Sequence, residues 1–323
     1  MNTNGHSELF DVIVVGAGPG GLASGMYAAR ARLKSVVLEK ELPGGQINKT
    51  GVIEDYLGFT SIDARELAQK MADHARDVGA EIRSTSAKSV RKAGNVFEVE
   101  TNTGVLRGRT VILATGGSPN YLGAKGEMPY QTKGVSYCAI CDGPLPIFRH
   151  KPMVVVGGGD SALEEGLYLA KYASRIYVVH RRAEFRASQI LQDRVRDNPK
   201  MELILDSVVE EVGGTDLVEW VKVRNVKTQA LKTIEASGIF IYIGFTPNSA
   251  IVKDEIRKDE KGYILTNQNM ETSIPGLFAI GDVRQQLTKQ ITNAVGDGTT
   301  AAVAAEKFIH GTLQQSPVGA GRI

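Results

Sequence analysis

Cys138 and Cys141 are the only cysteines in 323 residues, and they stand in the stretch Tyr137-Cys138-Ala139-Ile140-Cys141-Asp142-Gly143. Two cysteines two residues apart can close a small disulfide ring and open it again, and a C-x-x-C lowers a thiol pKa so that a thiolate is available near neutral pH. Asp142, directly behind the pair, is a candidate proton donor for the thiolates that ring opening releases. A zinc half-site is the first alternative. It needs four nitrogen or sulfur ligands, yet there is no second C-x-x-C, and the nearest downstream histidine, His150, stands alone. A purely structural disulfide is the second, and it makes little sense across so short a loop in a chain read as lacking a secretory signal. The pair therefore reads as a redox centre.

The elements that must position such a centre are marked by glycine turns on either side of it. Phe10 to Val15 is a β-branched apolar run ending in Gly16-Ala17-Gly18-Pro19-Gly20-Gly21, and Leu22 to Arg32 is helical in composition. In a strand, glycine turn and helix, Gly16 allows the tight turn, Gly18 lets a pyrophosphate approach the backbone, and Gly21 lets helix and strand pack closely. Ser35 to Leu38 reads as the next strand and ends in Glu39, about 20 residues on, where a carboxylate holds a ribose 2′-hydroxyl and repels a 2′-phosphate. This first site is expected to take FAD or NAD and to refuse NADP. Pro43-Gly44-Gly45-Gln46 is either an ordinary loop or a turn suited to close approach by a flat ligand.

A second unit follows the cysteines. Met153 to Val156 is an apolar strand, Gly157-Gly158-Gly159-Asp160-Ser161-Ala162 has the G-x-G-x-x-A form, Leu163 to Tyr172 continues as helix, and Arg175 to Val179 is the following strand. Where the first unit has Glu39, this one has His180-Arg181-Arg182, with Arg186 beyond. Such a cluster accommodates the 2′-phosphate of NADP, and a solvated basic face is the bland alternative. Further on, short strands recur from Lys200 to Ile243, and the pairs Gly116-Gly117 and Gly244-Pro247 punctuate two candidate domain crossings. Gly281-Asp282 ends an apolar strand where its carboxylate is suited to a ligand hydroxyl or to a helix cap. The helix expected over 291–309 aims its N-terminal amides at a ligand oxygen, and Pro317, Gly319 and Gly321 mark a loose tail.

Composition bounds the classes. The length favours two domains, 42% hydrophobic residues suffice for their cores, and a formal charge of +2 gives no sign of a nucleic-acid or anionic-membrane partner. No apolar run approaches a membrane span and the first nine residues show no signal pattern, so a cytoplasmic protein is expected.

Together these motifs resemble the low-molecular-weight, bacterial and plant-type thioredoxin reductases over nearly the whole chain. The glycine turn from Gly16, Gly44-Gly45-Gln46, Ala114-Thr115-Gly116, Cys138-x-x-Cys141-Asp142, Gly157-Gly158-Gly159, His180-Arg181-Arg182-x-x-x-Arg186 and Gly281-Asp282 fall in that family's order and spacing. The resemblance implies an α/β fold of two Rossmann-like, glutathione-reductase-type domains in a homodimer. An FAD-binding domain is formed by residues 1–116 and 246–323, and an inserted NADPH-binding domain, 117–245, bears the redox cysteines. It implies that Gly16, Gly18, Pro19, Gly21, Glu39, Gly45, Gln46, Gly116, Gly281, Asp282, Lys289, Gln290 and Ile291 meet FAD. Gly157, Gly159, Asp160, Ser161, Ala162, His180, Arg181, Arg182 and Arg186 would meet NADPH. By the same resemblance Cys141 exchanges with the flavin, Cys138 attacks the thioredoxin disulfide, and Asp142 donates the proton; thioredoxin is a separate protein.

The chain departs from that pattern at two places. Lys289 stands where many members have an arginine, offering a point charge instead of a fork, and Ile140 replaces the threonine common inside the cysteine motif. The C-A-I-C form resembles the reductase half of plastid and cyanobacterial reductase-thioredoxin fusions. Ferredoxin-driven relatives tend to lose the second glycine turn or the arginine cluster; this chain keeps both, which favours NADPH. A ferredoxin-dependent flavin reductase, and a reductase feeding a peroxidase or another small disulfide protein, are the alternatives.

Overall fold

The structure is a computed structural model that describes residues 8–49 and 52–311. The expected loose tail lies outside the described residues. The first half contains β1 (Leu9–Val15), α1 (Pro19–Arg30), β2 (Ser35–Glu39), a 3-10 turn (Gly45–Lys49), β3 (Val52–Ile53), β4 (Ile62–Asp63), α2 (Ala64–Asp77), β5 (Glu81–Ser84), β6 (Ala87–Ala93), β7 (Val96–Thr101), β8 (Gly104–Leu113) and β9 (Gly117–Pro119). Then come β10 (Val135–Ser136), α3 (Ala139–Asp142), β11 (Pro152–Val156), α4 (Asp160–Leu169), β12 (Arg175–Val179), α5 (Gln189–Asp197), β13 (Met201–Ile204), β14 (Ser207–Gly213), β15 (Trp220–Asn225), β16 (Leu231–Glu235) and β17 (Ile239–Ile241). The chain closes through β18 (Phe245–Pro247), β19 (Leu277–Ala279), a 3-10 turn (Gly281–Val283) and α6 (Ile291–Ile309).

Among the described residues these strands make two main sheets. The first has the order β5-β2-β1-β8-β7-β6, with β19 beside the C-terminal end of β8. Strands β5, β2, β1, β8 and β19 run parallel, while β6 and β7 form an antiparallel meander with β8. Strands β1 and β2 and the C-terminal half of β8 are apolar on both faces because both are covered. Ile13, Val15, Val36, Leu38, Val111 and Leu113 pack against the meander, and Val12, Val14, Val37 and Ile112 pack under the helices. Full burial of each contributes about 1.5–3 kcal/mol. The second sheet, β10-β17-β11-β12-β13, is parallel throughout, and β14-β15-β16 form an antiparallel sheet beside it.

A third pairing joins the two halves. Strand β9, entering the second sheet's region, lies antiparallel to β18, leaving it, with Gly117 opposite Pro247 and Pro119 opposite Phe245. Side chains brace this ribbon at both ends. Thr115 Oγ1 donates to the Asn248 carbonyl at 3.0 Å, Asn248 Nδ2 to the Thr115 carbonyl at 2.8 Å, and Thr246 Oγ1 to Asn120 Oδ1 at 2.9 Å. No helix among the described residues is long and apolar enough to cross a membrane.

Several elements differ from the sequence expectation. Helix α1 starts at Pro19, three residues before the expected Leu22, because proline is pre-set for the first helical position and the preceding Gly18 adopts the extended cap. Likewise α4 starts at Asp160 instead of Leu163, so the last three residues of the second glycine turn are its first helical residues. Asp282 lies inside its own 3-10 turn; the N-cap of α6 is Gln290.

Candidate active site

Parallel sheets gather functional loops at the carboxyl ends of their strands, where chain order reverses. Strand β1 is flanked by β2 and β8, so Gly16, Glu39 and Ala114–Gly116 emerge together there, and Gly281 follows β19 on the other side of β8. The glycines have separable roles. A Cβ on Gly21 would stand 1.9 Å from the Gly16 carbonyl oxygen, and one on Gly16, whose φ is +106°, 2.4 Å from the Ala114 oxygen. These two are forced by strand-helix packing. At Gly18, by contrast, a Cβ would meet nothing within 4 Å, so the space over the N-terminus of α1 is open and a side chain would fill it. The same holds at Gly159 over the N-terminus of α4. Neither N-cap glycine supplies a side-chain hydrogen bond to its helix, so each helix presents first-turn N–H groups suited to a phosphate. Both turns fit a dinucleotide.

Glu39 is 8% exposed, its Oε2 accepting the Ala17 N–H at 2.8 Å and its Oε1 the Glu41 N–H at 3.0 Å. The carboxylate is thus fixed against the glycine turn with acceptor capacity left for a ribose hydroxyl. Gly45 packs over Gly18, where its Cβ would be 3.2 Å from the Gly18 Cα, and Gln46 Nε2 donates to the Gly117 carbonyl at 3.0 Å, tying the flat turn to the ribbon. Gly116, with φ +59°, opens the ribbon. Ile291 packs with Ile47, Ile53 and Leu67. Lys289 lies with Nζ 4.6 Å from the Tyr263 ring centre and 5.8 Å from that of Phe245, a cation–π seat at the end of β18. Burial pushes the Asp282 carboxyl up to about 6, with Lys289 pulling it down and Asp297 adding to the rise.

In the second sheet Gly157 follows β11, His180 follows β12 and Tyr242 follows β17, so the C-terminal edge again carries the turn. Asp160 Oδ1 accepts the Ser188 N–H at 2.7 Å and anchors the start of α5, whereas Ser161 is exposed and Ala162 fully buried. Arg181, Arg182 and Arg186 are exposed and, among the described residues, none is in an ion pair. Arg182 and Arg186 line an open concavity of about 320 Å³ with Ala183, Glu184 and Phe185. His180 is placed otherwise. It is 6% exposed, stacks on Phe185, sets Nε2 3.1 Å from the Glu184 carbonyl oxygen, and lies across Gly158. Burial lowers its pKa, and the neighbouring arginines add to that, so it supports the turn as a neutral ring while the arginines supply the charge.

Strand β10 of this same sheet leads into the cysteines, which are joined as a disulfide at the head of α3. Cys138 is the N-cap, its Sγ accepting the Cys141 N–H at 3.2 Å. Ser136 Oγ accepts the Cys138 N–H at 3.1 Å and lies 2.5 Å from Asp142 Oδ2. Burial pushes the half-buried Asp142 carboxyl up to about 6, against the lowering effect of the Ser136 hydroxyl and with a further rise from Asp55. A group near 6 gives and takes a proton at neutral pH. Sequence reasoning missed Tyr242, whose hydroxyl accepts the Ala139 N–H at 2.6 Å, and Glu165, whose Oε2 is buried with no hydrogen-bond partner. Both lie far from the cysteines in sequence, and no motif marks them. Helix α3 packs on α4 and also on β3, so the disulfide sits where the two halves meet. Among the described residues no group of three metal-ligating side chains is found.

A disulfide held between two dinucleotide-type sheets is the arrangement of an oxidoreductase that moves electrons between a nucleotide and sulfur. Residues 10–298 match the model of the pyridine nucleotide-disulphide oxidoreductase family, and the chain belongs to that family. It is 40% identical over 305 residues to a thioredoxin reductase of Listeria innocua serovar 6a, covering 94% of this chain and 95% of that protein. The crystal structure of thioredoxin reductase from Streptococcus pyogenes MGAS5005 matches with a TM-score of 0.90 at 43% identity, covering 94% of this chain and 99% of that one. The Lactococcus lactis thioredoxin reductase in its FR conformation, at 40% identity and the same coverage, superposes with a TM-score of 0.64.

Proposed function

We propose that this chain is an NADPH-dependent thioredoxin reductase that binds FAD at the first sheet and NADPH at the second, and that it works as a homodimer in the cytoplasm. The observation that carries the reading is the Cys138–Cys141 disulfide at the head of α3, beside a carboxyl held near 6, on the sheet whose dinucleotide turn faces exposed arginines. Its family and its likeness to thioredoxin reductases over most of its length support it. The turn from Gly16, Glu39 and the Gly281–Asp282 turn would hold FAD, which would supply a two-electron relay between NADPH and the sulfur pair.

The chain's own residues do the rest. Gly18 and Gly159 leave room for pyrophosphates at the helix N-termini; Glu39 selects a free ribose and Arg181, Arg182 and Arg186 a phosphorylated one. Two-electron reduction breaks the Cys138–Cys141 bond and leaves two thiolates, of which one takes a proton and Cys138 stays ionised as the nucleophile. Asp142, whose Oδ2 accepts the Ser136 hydroxyl and whose carboxyl burial raises to about 6, supplies that proton. Cys138 then attacks the thioredoxin disulfide, expelling one thiolate, and Cys141 attacks the mixed disulfide, so that the bond returns to the Cys138–Cys141 pair and both electrons leave on thioredoxin.

We take residues 1–116 with 246–323 as the FAD domain and 117–245 as the NADPH domain. Helix α3, at whose head the half-buried sulfur pair stands, packs on β3, so the halves rotate about the β9·β18 ribbon between steps to open the pair to a protein substrate. Two solved relatives of nearly equal identity superpose very differently, as a change of domain orientation requires. The test is anaerobic titration with NADPH followed by thioredoxin. The flavin band should bleach and recover in the wild type, while Cys138→Ser and Cys141→Ser should abolish thioredoxin reduction; turnover in either serine variant refutes the reading.

A further inference from the structure

The turn that carries Asp282 is held to α6 by a buried ion pair. Arg284 forks onto Asp297, with Nε 2.7 Å from Oδ2 and Nη2 2.9 Å from Oδ1, and Oδ2 also accepts the Gly281 N–H at 2.9 Å. Asp297 is 8% exposed. Arg284 Nη1 extends the fork to Thr266 Oγ1 and the Gln285 carbonyl, each at 3.3 Å. A two-pronged guanidinium–carboxylate contact fixes orientation as well as charge. Orientation matters here because the 3-10 turn Gly281–Val283 is entered through a φ of +63° at Gly281 and closes on itself through one hydrogen bond, Arg284 N–H to the Gly281 oxygen at 3.1 Å. Within it, Asp282 Oδ1 lies 3.5 Å from Gln286 Nε2, and Gln286 Oε1 is buried with no hydrogen-bond partner. A polar pair is thus held in place with acceptor capacity to spare.

We propose that Arg284 and Asp297 are positioning residues for the cofactor site. Their ion pair sets the Gly281–Asp282 turn so that the Asp282 carboxylate accepts a hydroxyl of bound FAD. The inference rests on the FAD reading above. The groups acting on Asp282 are Lys289, which favours its ionised form, Asp297, which disfavours it, and Tyr263, whose own phenol is raised in part by Asp282; Arg284 is balanced by Asp297. An ionised carboxylate is the stronger acceptor. FAD retention should therefore weaken on acidification as Asp282 takes its proton. Removing the charge of Asp297 takes away a like charge and leaves Arg284 unpaired, and both changes move that midpoint to lower pH.

The test follows flavin release from the full chain by flavin fluorescence across pH, with far-UV circular dichroism as the folding control. Asp297→Asn should weaken FAD retention about tenfold at mildly alkaline pH and lower the release midpoint by about half a unit or more. Arg284→Lys keeps both charges and loses the fork, so it should weaken retention about threefold with the midpoint unmoved. A purely structural role predicts loss of affinity with no movement of the midpoint in Asp297→Asn. That result, or wild-type affinity in both variants, overturns the inference and leaves the FAD reading standing. A wild type that holds no FAD overturns both. Should Asp297→Asn fail to fold, Arg284→Gln takes its place: leaving Asp297 unpaired should weaken retention and raise the release midpoint, and an unmoved midpoint or wild-type retention overturns the proposal.

Discussion

Asp142 carries two separable consequences. Its folded pKa, about 6, lies above the ordinary carboxyl value of 3.8, chiefly through burial. Above pH 6 the native state therefore holds an ionised, partly desolvated carboxylate at a cost, and the cost disappears as pH falls through that value because the native state takes the proton before the unfolded chain does. Asp142→Asn should melt higher than wild type at neutral pH, with the gap closing toward pH 4; a gap independent of pH contradicts the assignment. The same variant should slow thioredoxin reduction by roughly 10²- to 10⁴-fold, the usual contribution of one acid–base group. Under the proposed function, Arg182 and Arg186 are the residues that would set the nucleotide choice. Charge-assisted contacts contribute about 1.5–3 kcal/mol each, so the double alanine variant should raise KM for NADPH by roughly a hundredfold or more and leave KM for NADH nearly unchanged, as steady-state kinetics with both nucleotides will show. Of the candidate side chains, those inside a motif were legible, and those whose partner lies far along the chain were not. Nothing local says that Tyr242 will reach Ala139, that Asp297 will take Arg284, or that His180, beside two arginines, will turn inward onto Gly158.

Among the elements, the apolar strands ending in glycine were readable because a β-branched run followed by glycine has few other uses. Strand β5, with the polar sequence EIRS, and helix α5, whose apolar contribution is little more than Ile190, Leu191 and Val195, escaped notice because their hydrophobic signal is small. The three-residue strands of the ribbon became strands only by meeting each other. The glycine turn gives the sharpest test at this scale. Gly18→Ala introduces a methyl group where nothing stands within 4 Å and where φ is −69°, so stability should change by less than about 0.5 kcal/mol while FAD binding is lost. Gly21→Ala drives a methyl group against the Gly16 oxygen and should destabilise the fold by about 1–3 kcal/mol or more even without a ligand. Denaturant melts and flavin titrations of the two variants should give opposite patterns.

For the whole molecule, the proposed cycle needs the halves to part and rejoin. A covalent bridge between engineered cysteines on the segment after β3 and on α4, made while the native pair is oxidised, should leave FAD bound and stop multiple turnover, and full activity in the bridged protein refutes the rotation. The ribbon also constrains how the parts move. Since outbound and returning chain are laced together over Gly117–Pro119 and Phe245–Pro247, neither can lengthen or swing without the other. Two separate tethers would permit wobble in several directions. A laced pair behaves more like a torsion bar, which winds readily about its length and resists shear, so the disulfide and the nicotinamide end of the nucleotide would take turns at one fixed point by travelling along a single arc.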